Sequence, residues 1–397
     1  MMRKTLLSTL GVASLLLGAT AVGVPTASAT PSNLHAKRVC SASAKATVAS
    51  CQAKVLVNAR GMVPASTTPS SSARTPAQLK DAYKLTGTSS GGRTVAIVDA
   101  YGYPNLAADL STYRSYFGLP ACTTASGCLT VRDQSGGTNL PRFDAGWAGE
   151  QALDVDAVSA ICPDCKILVV QAKSASIADL GTAVNTASKQ AGVVAISNSY
   201  GGGDLSDATY GASYNHPGIA VTASTGDNGY QGGSFPSSSS YVTAVGGTTL
   251  TAAASTARGW SESAWSGAGS GCSTVNTALA AAAGSGTGCA KRAIADVSAA
   301  ADPNNGGMAV YYPTSRTAST WAQVGGTSES APIIASVYAL SGNTTGYANA
   351  LPYSHTANLF DVTGGSNGSC PTTQWCNART GWDGPTGLGT PNGTGAF

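Results

Sequence analysis

The chain has 397 residues, enough for one large domain or two ordinary ones. Charged residues make up only 10% and hydrophobic ones 42%, with 49 glycines, a balance that suits a buried, loop-rich globular protein and excludes disorder. A net charge of +3 without a clustered Lys/Arg stripe excludes a nucleic-acid partner.

The first 29 residues carry Arg3 and Lys4, then an apolar stretch, then a small-residue site at Ala27–Ala29. That is the pattern of a secretory signal peptide cleaved after Ala29; polar and small residues break the run too often for a membrane anchor. No later segment is apolar enough to span a bilayer, so the mature chain is expected to be extracellular and away from the membrane. Export favours disulfides among the ten cysteines. They fall as close neighbours, Cys40/Cys51, Cys122/Cys128, Cys162/Cys165, Cys272/Cys289 and Cys370/Cys376, and sequential pairing is the expectation, although connectivity does not follow from sequence. A metal or redox role for Cys162-Pro-Asp-Cys165 stays open, but no second C-x-x-C or histidine completes a zinc site.

Residues 30–74 lack periodicity and end in "MVPASTTPSSSAR", which reads as a linker or short pre-region open to processing. Organised sequence begins with a helix over 75–85. A strand follows at 94–100, "TVAIVDA", a near-continuous apolar run of the kind buried on both faces. The pattern then predicts helices at 106–119 and 150–161, a strand at 166–172 and a helix at 175–192. Further strands are expected at 193–200, 218–225 and 241–248. This alternation predicts an α/β fold, a doubly wound, mainly parallel sheet with helices on both faces. In such sheets the site lies beyond the carboxyl ends of the strands.

"VGGTSESAPIIASV", 324–337, places Ser328 at the mouth of a helix, with Pro332 expected in its first turn. A serine hydroxyl needs a base to become a nucleophile. The three histidines, His35, His216 and His355, lack the small-residue, helix-opening context of a triad histidine. Carboxylates stand in better places. Glu150 and Asp154 are spaced i, i+4 on one helix face, so the pair should share a proton over an acidic range. The same spacing fits an ordinary solvated helix turn, and Asp156 beside them has no assigned role. Asp227, in "ASTGDNGY", follows a strand between Gly226 and Gly229; it is a candidate for a cleft carboxyl or a plain turn former.

"EQALD", "STGDNG" and "GGTSESAP" occur in that order, accompanied by "TVAIVDAYG", "ISNSYGG", "FPSSSSYVTAVGGTTL", "SESAWSGAGSGCS" and "GWDGPTGLGTP". Together they resemble the sedolisin (serine-carboxyl peptidase) family over about residues 75–397. The resemblance implies a subtilisin-like fold in a single large catalytic domain. It makes Ser328 the nucleophile, Glu150 the general base, Asp154 the residue that orients Glu150, and Asp227 part of the oxyanion hole. The physical logic agrees: a carboxylate base works in acid, where histidine is already charged, and a protonated Asp can donate to an oxyanion.

"SNSYGG" would supply a backbone edge near Ser199 and Gly201 for an extended peptide. "LFDVTGGSNG" (359–368) and "NARTGWDGPTG" (377–387) resemble the family's calcium loops. They would bind one structural ion through the carboxylates of Asp361 and Asp383 and the carbonyls of Val362, Arg379 and Gly381. Arg379 stands where the family usually has glycine. Members also carry a large folded propeptide, for which residues 30–74 are too short.

The resulting expectation is a secreted, acid-acting serine-carboxyl endopeptidase, monomeric, working on protein or peptide substrates. Its alternatives are a subtilisin-type protease using His216 or His355, and a non-catalytic descendant that binds peptides or cell-wall material.

Overall fold

The computed structural model describes residues 1–2, 34–343 and 345–397. The apolar stretch and cleavage site of the expected signal peptide lie outside the described residues. Among the described residues no helix is long and apolar enough to cross a membrane.

Three short strands come first: β1 (His35–Arg38), β2 (Ser50–Cys51) and β3 (Lys54–Val57). Helix α1 (Pro76–Ala82) follows, closed by a reciprocal cap in which Thr75 Oγ1 accepts the Gln78 N–H and Gln78 Oε1 accepts the Thr75 N–H. Strands and helices then alternate: β4 (Thr94–Ala100), α2 (Leu106–Tyr116), β5 (Leu129–Asp133), α3 (Ala145–Ile161), β6 (Lys166–Ala172), α4 (Ile177–Ser188) and β7 (Val193–Asn198). After β8 (Tyr200–Gly201) and the short α5 (Asp207–Tyr210) come β9 (Ala220–Ser224), β10 (Thr243–Ala252) and β11 (Trp260–Ala264). Next are β12 (Gly271–Cys272), β13 (Ala293–Ile294) and β14 (Val297–Ala300). The hairpin of β15 (Met308–Pro313) and β16 (Ser319–Gly325) feeds α6 (Thr327–Ser341), and α7 (Leu351–Ser354), β17 (Leu359–Phe360) and β18 (Thr390–Pro391) follow.

The main sheet runs β11-β10-β9-β7-β4-β6-β5, with β14 joining β10. Every pairing in it is parallel except β10–β11. Alternate residues of β4 face opposite layers, as strand geometry requires. Val95 and Ile97 pack with Leu153 and Val158 of α3 and Ile333 and Ile334 of α6. Ala96 and Val98 pack with Leu180 and Val184 of α4 on the other side. The expected doubly wound, mainly parallel sheet is therefore present.

Helices α3 and α6 lie side by side under this sheet, and α3 is buried on every face from Trp147 onward. A helix with no solvated side has nowhere to hide a charge. The acids it carries are thus displaced from water by the fold itself.

Residues 34–74, expected to be a linker or short pre-region, are built into the fold instead. β3 pairs antiparallel with β1 on one side and with β16 on the other, Val55 opposite Val324 and Lys54 opposite Gly325. β2 pairs antiparallel with β8, Ser50 opposite Gly201. The compact unit accordingly spans Leu34–Phe397, not 75–397. Strands of two and four residues are too short to show a periodic pattern, and two of them take partners far along the chain. All five sequential disulfides form, Cys162–Cys165 included.

Candidate active site

Gly326 caps α6 with φ +105°. A Cβ there would lie 2.3 Å from the Gln52 carbonyl oxygen and 2.5 Å from Asp227 Oδ2, so both the backbone angle and the space require glycine. Ser328 is the second residue of the helix, where backbone N–H groups have no intrahelical acceptor. Its N–H donates to the Gln52 carbonyl at 3.2 Å. Pro332 is the sixth residue of α6 and not in the first turn as expected. Having no N–H, it leaves the Ser328 carbonyl without a helical donor, and Ser199 Oγ occupies that vacancy at 3.3 Å.

Glu150 and Asp154 do share one face of α3, and both are fully buried. Ser199 Oγ lies 2.9 Å from Asp154 Oδ1 as well as near the Ser328 carbonyl. Ser328 Oγ donates to the Ser199 carbonyl at 3.3 Å, and neither Glu150 oxygen has a hydrogen-bond partner. The expected Ser328–Glu150 bond is therefore not closed in this geometry, although the hydroxyl is near enough to favour the Glu150 anion. Catalytic hydrogen bonds are commonly long before substrate binds.

Burial is the largest influence on Glu150, pushing its carboxyl well above the usual range, with Asp154 and Asp99 adding to the rise and the Ser328 hydroxyl opposing it. Asp154 rises for the same reasons, burial first and Asp99 second, against the Ser199 hydroxyl. Asp99, at the end of β4, is fully buried with both oxygens unpartnered, and burial raises it too. Three buried carboxyls with so few donors do not all ionise together, so the cluster holds protons in common above the ordinary carboxylate range. Asp156 is turned elsewhere: its Oδ2 accepts the Tyr311 N–H at 3.0 Å.

Asp227 Oδ1 accepts both the Thr327 N–H (2.8 Å) and the Thr327 hydroxyl (3.0 Å). Oδ2 is buried without a partner. Burial pushes this carboxyl up to about 6, against the Lys54 ammonium and the two Thr327 donors. A proton on it would sit on Oδ2, which lies beside Gly326 in the corner that the Gln52 carbonyl also faces. The Ser199–Gly201 edge is not free, because Gly201 pairs with Ser50.

At the C-terminal loops, Asp361 Oδ2 accepts the Gly381 N–H (2.9 Å) and Asp383 Oδ2 accepts the Arg379 N–H (3.2 Å). Asp383 is buried, its other oxygen taking the Thr386 N–H and hydroxyl. Burial, with Asp361 nearby, pushes Asp383 up to about 7. Among the described residues the carbonyls of Val362, Arg379 and Gly381 accept no protein hydrogen bond. Two neighbouring carboxylates with free carbonyls make an oxygen-rich donor set suited to a hard cation. No group of three or more His, Cys, Asp or Glu that could hold a metal occurs among the described residues.

No protein-family model matches the chain. Kumamolisin of Bacillus sp. strain MN-32, a sedolisin-family protein, is 30% identical over 364 residues, which are 81% of this chain and 62% of kumamolisin. This likeness supports placing the chain in the sedolisin family. It spans only about three fifths of that relative's length. Tripeptidyl-peptidase sed1 of Aspergillus fumigatus is 42% identical over 77 residues, 17% of this chain and 12% of the relative. Among solved structures, Pseudomonas sedolisin, a serine-carboxyl proteinase complexed with pseudo-iodotyrostatin, superposes with a TM-score of 0.66 at 24% identity, covering 81% of this chain and 96% of that one. Sphericase superposes with a TM-score of 0.52 at 16% identity, covering 79% and 96%. The chain thus has a subtilisin-like fold.

Two residues at this site escaped the sequence reading. Asp99 had a signal, as the one acid in an apolar strand and at its carboxyl end. Gln52 had none.

Proposed function

We propose that this sedolisin-family chain is a secreted, acid-acting serine-carboxyl endopeptidase that cleaves protein or peptide substrates through an acyl-enzyme. The observation that supports it most is a convergence: two packed, buried helices carry Ser328 and the Glu150/Asp154 pair, the Ser328 hydroxyl acts on the Glu150 carboxyl, and the unpartnered Asp227 Oδ2 lies beside Gly326 at the start of the serine's helix. In this reading Glu150 takes the Ser328 proton as Oγ attacks the scissile carbonyl. The Ser328 N–H and protonated Asp227 receive the oxyanion. Glu150 then returns the proton to the leaving amine, and water repeats the sequence on the acyl-enzyme. Asp154, held by Ser199, orients Glu150 and shares its proton.

Nothing favours a histidine base. His216 Nε2 bonds the Ser213 carbonyl and His355 Nδ1 the Leu351 carbonyl, each within its own turn. Digestion of casein at about pH 4 and about pH 8, with and without a serine-directed inhibitor, tests the proposal, since ordinary carboxylates and histidine titrate between those values. Internal fragments formed only in acid and blocked by the inhibitor are the expected result. Cleavage only near pH 8 would transfer the role to histidine, and released tripeptides would move the reading toward the activity named for the Aspergillus fumigatus relative.

We also propose that Asp361 and Asp383, with the carbonyls of Val362, Arg379 and Gly381, hold one structural calcium. When bound, the ion would neutralise two neighbouring carboxylates and tie the two loops together. Binding to the folded state alone adds about 2.7 kcal/mol at a hundredfold excess over the dissociation constant. Chelation should therefore lower the melting midpoint by on the order of 5 °C. An unchanged midpoint, with no calcium found by metal analysis, would remove the site.

A further inference from the structure

A carboxylate that serves as base in acid has to be ionised in acid, and the surroundings of Glu150 work against that. Burial opposes its charge first, then Asp154 and Asp99 and more weakly Asp227, while only the Ser328 hydroxyl favours the anion. Neither Glu150 oxygen has a hydrogen-bond partner. A second donor is needed to keep enough of the carboxyl ionised near pH 4 or so.

A free hydroxyl stands next to it. Tyr312 of β15 packs on α3 where Gly149 precedes Glu150: a Cβ on Gly149 would lie 2.6 Å from Tyr312 Cε2 and 2.6 Å from its Oη. Glycine lets the phenol lie directly on the helix. Among the described residues this hydroxyl makes no hydrogen bond, and the charge that acts on it is that of Glu150. Other buried tyrosines are satisfied: the hydroxyls of Tyr103, Tyr200 and Tyr353 donate to Asp109, Asn198 and Asp296. A buried phenol ordinarily finds such a partner. Burial, with Glu150 second, holds Tyr312 above the usual tyrosine range, so it keeps the proton it would donate.

The ring also has room to turn. It lines a cavity of about 1010 Å³, together with residues of β1, β3 and β16 and with Ala145 and Gly146 at the start of α3. The charged groups lining that cavity are Lys37 and Arg38, and they are held by the Gly61 carbonyl and Asn228 Oδ1. The phenol is therefore the donor that this side of the molecule offers to Glu150.

We infer that Tyr312 is a positioning residue for the base: its hydroxyl turns to donate to the Glu150 carboxylate, holding it ionised in acid and aimed at Ser328. This rests on the peptidase reading above, with Glu150 as base. The phenol stays neutral throughout and acts only through Glu150. A donor to the charged form lowers a carboxyl's titration range, so losing it raises that range and leaves the base protonated over more of the acid region. Once ionised, the undonated carboxylate is the stronger base, so turnover past the acid limb should be spared.

The test measures kcat/KM of the full chain on a fluorogenic peptide from about pH 3 to about pH 7, because that ratio reports the free enzyme's base. Tyr312→Phe keeps the ring that packs on Gly149 and removes the hydroxyl. Its acid limb should move up by about one unit, a loss of about tenfold on the limb, with little change past it and an unchanged melting midpoint. 3-Fluorotyrosine at 312, a stronger donor of nearly the same shape, should move the limb down. With the wild type active in acid, a limb that neither replacement moves overturns the inference and leaves the peptidase reading standing. A uniform fall across the whole range gives the hydroxyl a structural role alone and overturns it in the same way. A wild type inactive in acid overturns both.

Discussion

Ser328→Ala should lower turnover by on the order of 10⁶ without lowering the melting midpoint. The hydroxyl it removes makes one hydrogen bond, to the Ser199 carbonyl at 3.3 Å, so the fold loses little. Glu150→Gln should cost a similar factor. The amide keeps the shape and removes the base, and it replaces a buried carboxyl that has no hydrogen-bond partner. Its stability should therefore hold, and rise above the acid range, where wild type begins to pay for a buried charge. The double variant should be no worse than either single, because nucleophile and base act as one unit. Substantial residual turnover in Glu150→Gln would mean that another group takes the proton.

Asp227→Ala should lower turnover by about 10²–10³, the usual loss for one oxyanion donor. Asp227→Asn should lose less, since an amide can donate from the same position. The pH dependence separates the two roles further. With its carboxyl pushed up to about 6, Asp227 carries the proton it donates below that pH and loses it above. Wild-type turnover should fall on the alkaline side partly for this reason, by up to tenfold per unit once pH is well past 6 or so. Asn keeps its N–H at every pH, so that limb should be shallower, leaving only the decline of the shared Glu150/Asp154 titration. If Asn is as inactive as Ala throughout, the donor role fails or needs the carboxyl itself.

The core of the sheet was legible because buried parallel strands are continuous apolar runs, and β4 and β6 begin and end where the sequence places them. Helix α3 begins five residues before its predicted start. Gly146 and Gly149 disguised that first turn as a loop. Gly149 is there because a Cβ would come 2.6 Å from the Tyr312 ring, a packing demand made by a distant strand. The positions of Ser328, Glu150, Asp154 and Asp227 could be read because helix spacing and glycine turns are local. What fills the space before Ser328 could not, since β2 and β3 exist through pairing with β8 and β16 and residues 30–74 have no local pattern of their own. Asp99 shows the same limit: its acidity was visible, but its approach to Glu150 and Asp154 depends on how α3 crosses β4.

The central claim is that Ser328 becomes an acylating nucleophile in acid through a carboxylate base. The most direct measurement is peptide mapping after the chain reacts with a serine-directed acylating reagent at about pH 4 and about pH 8, either side of histidine's range. The account predicts one adduct, on Ser328, formed in acid and missing from Glu150→Gln. An adduct formed only near pH 8 and lost in His216→Ala or His355→Ala, or no adduct on Ser328 in acid, would contradict it.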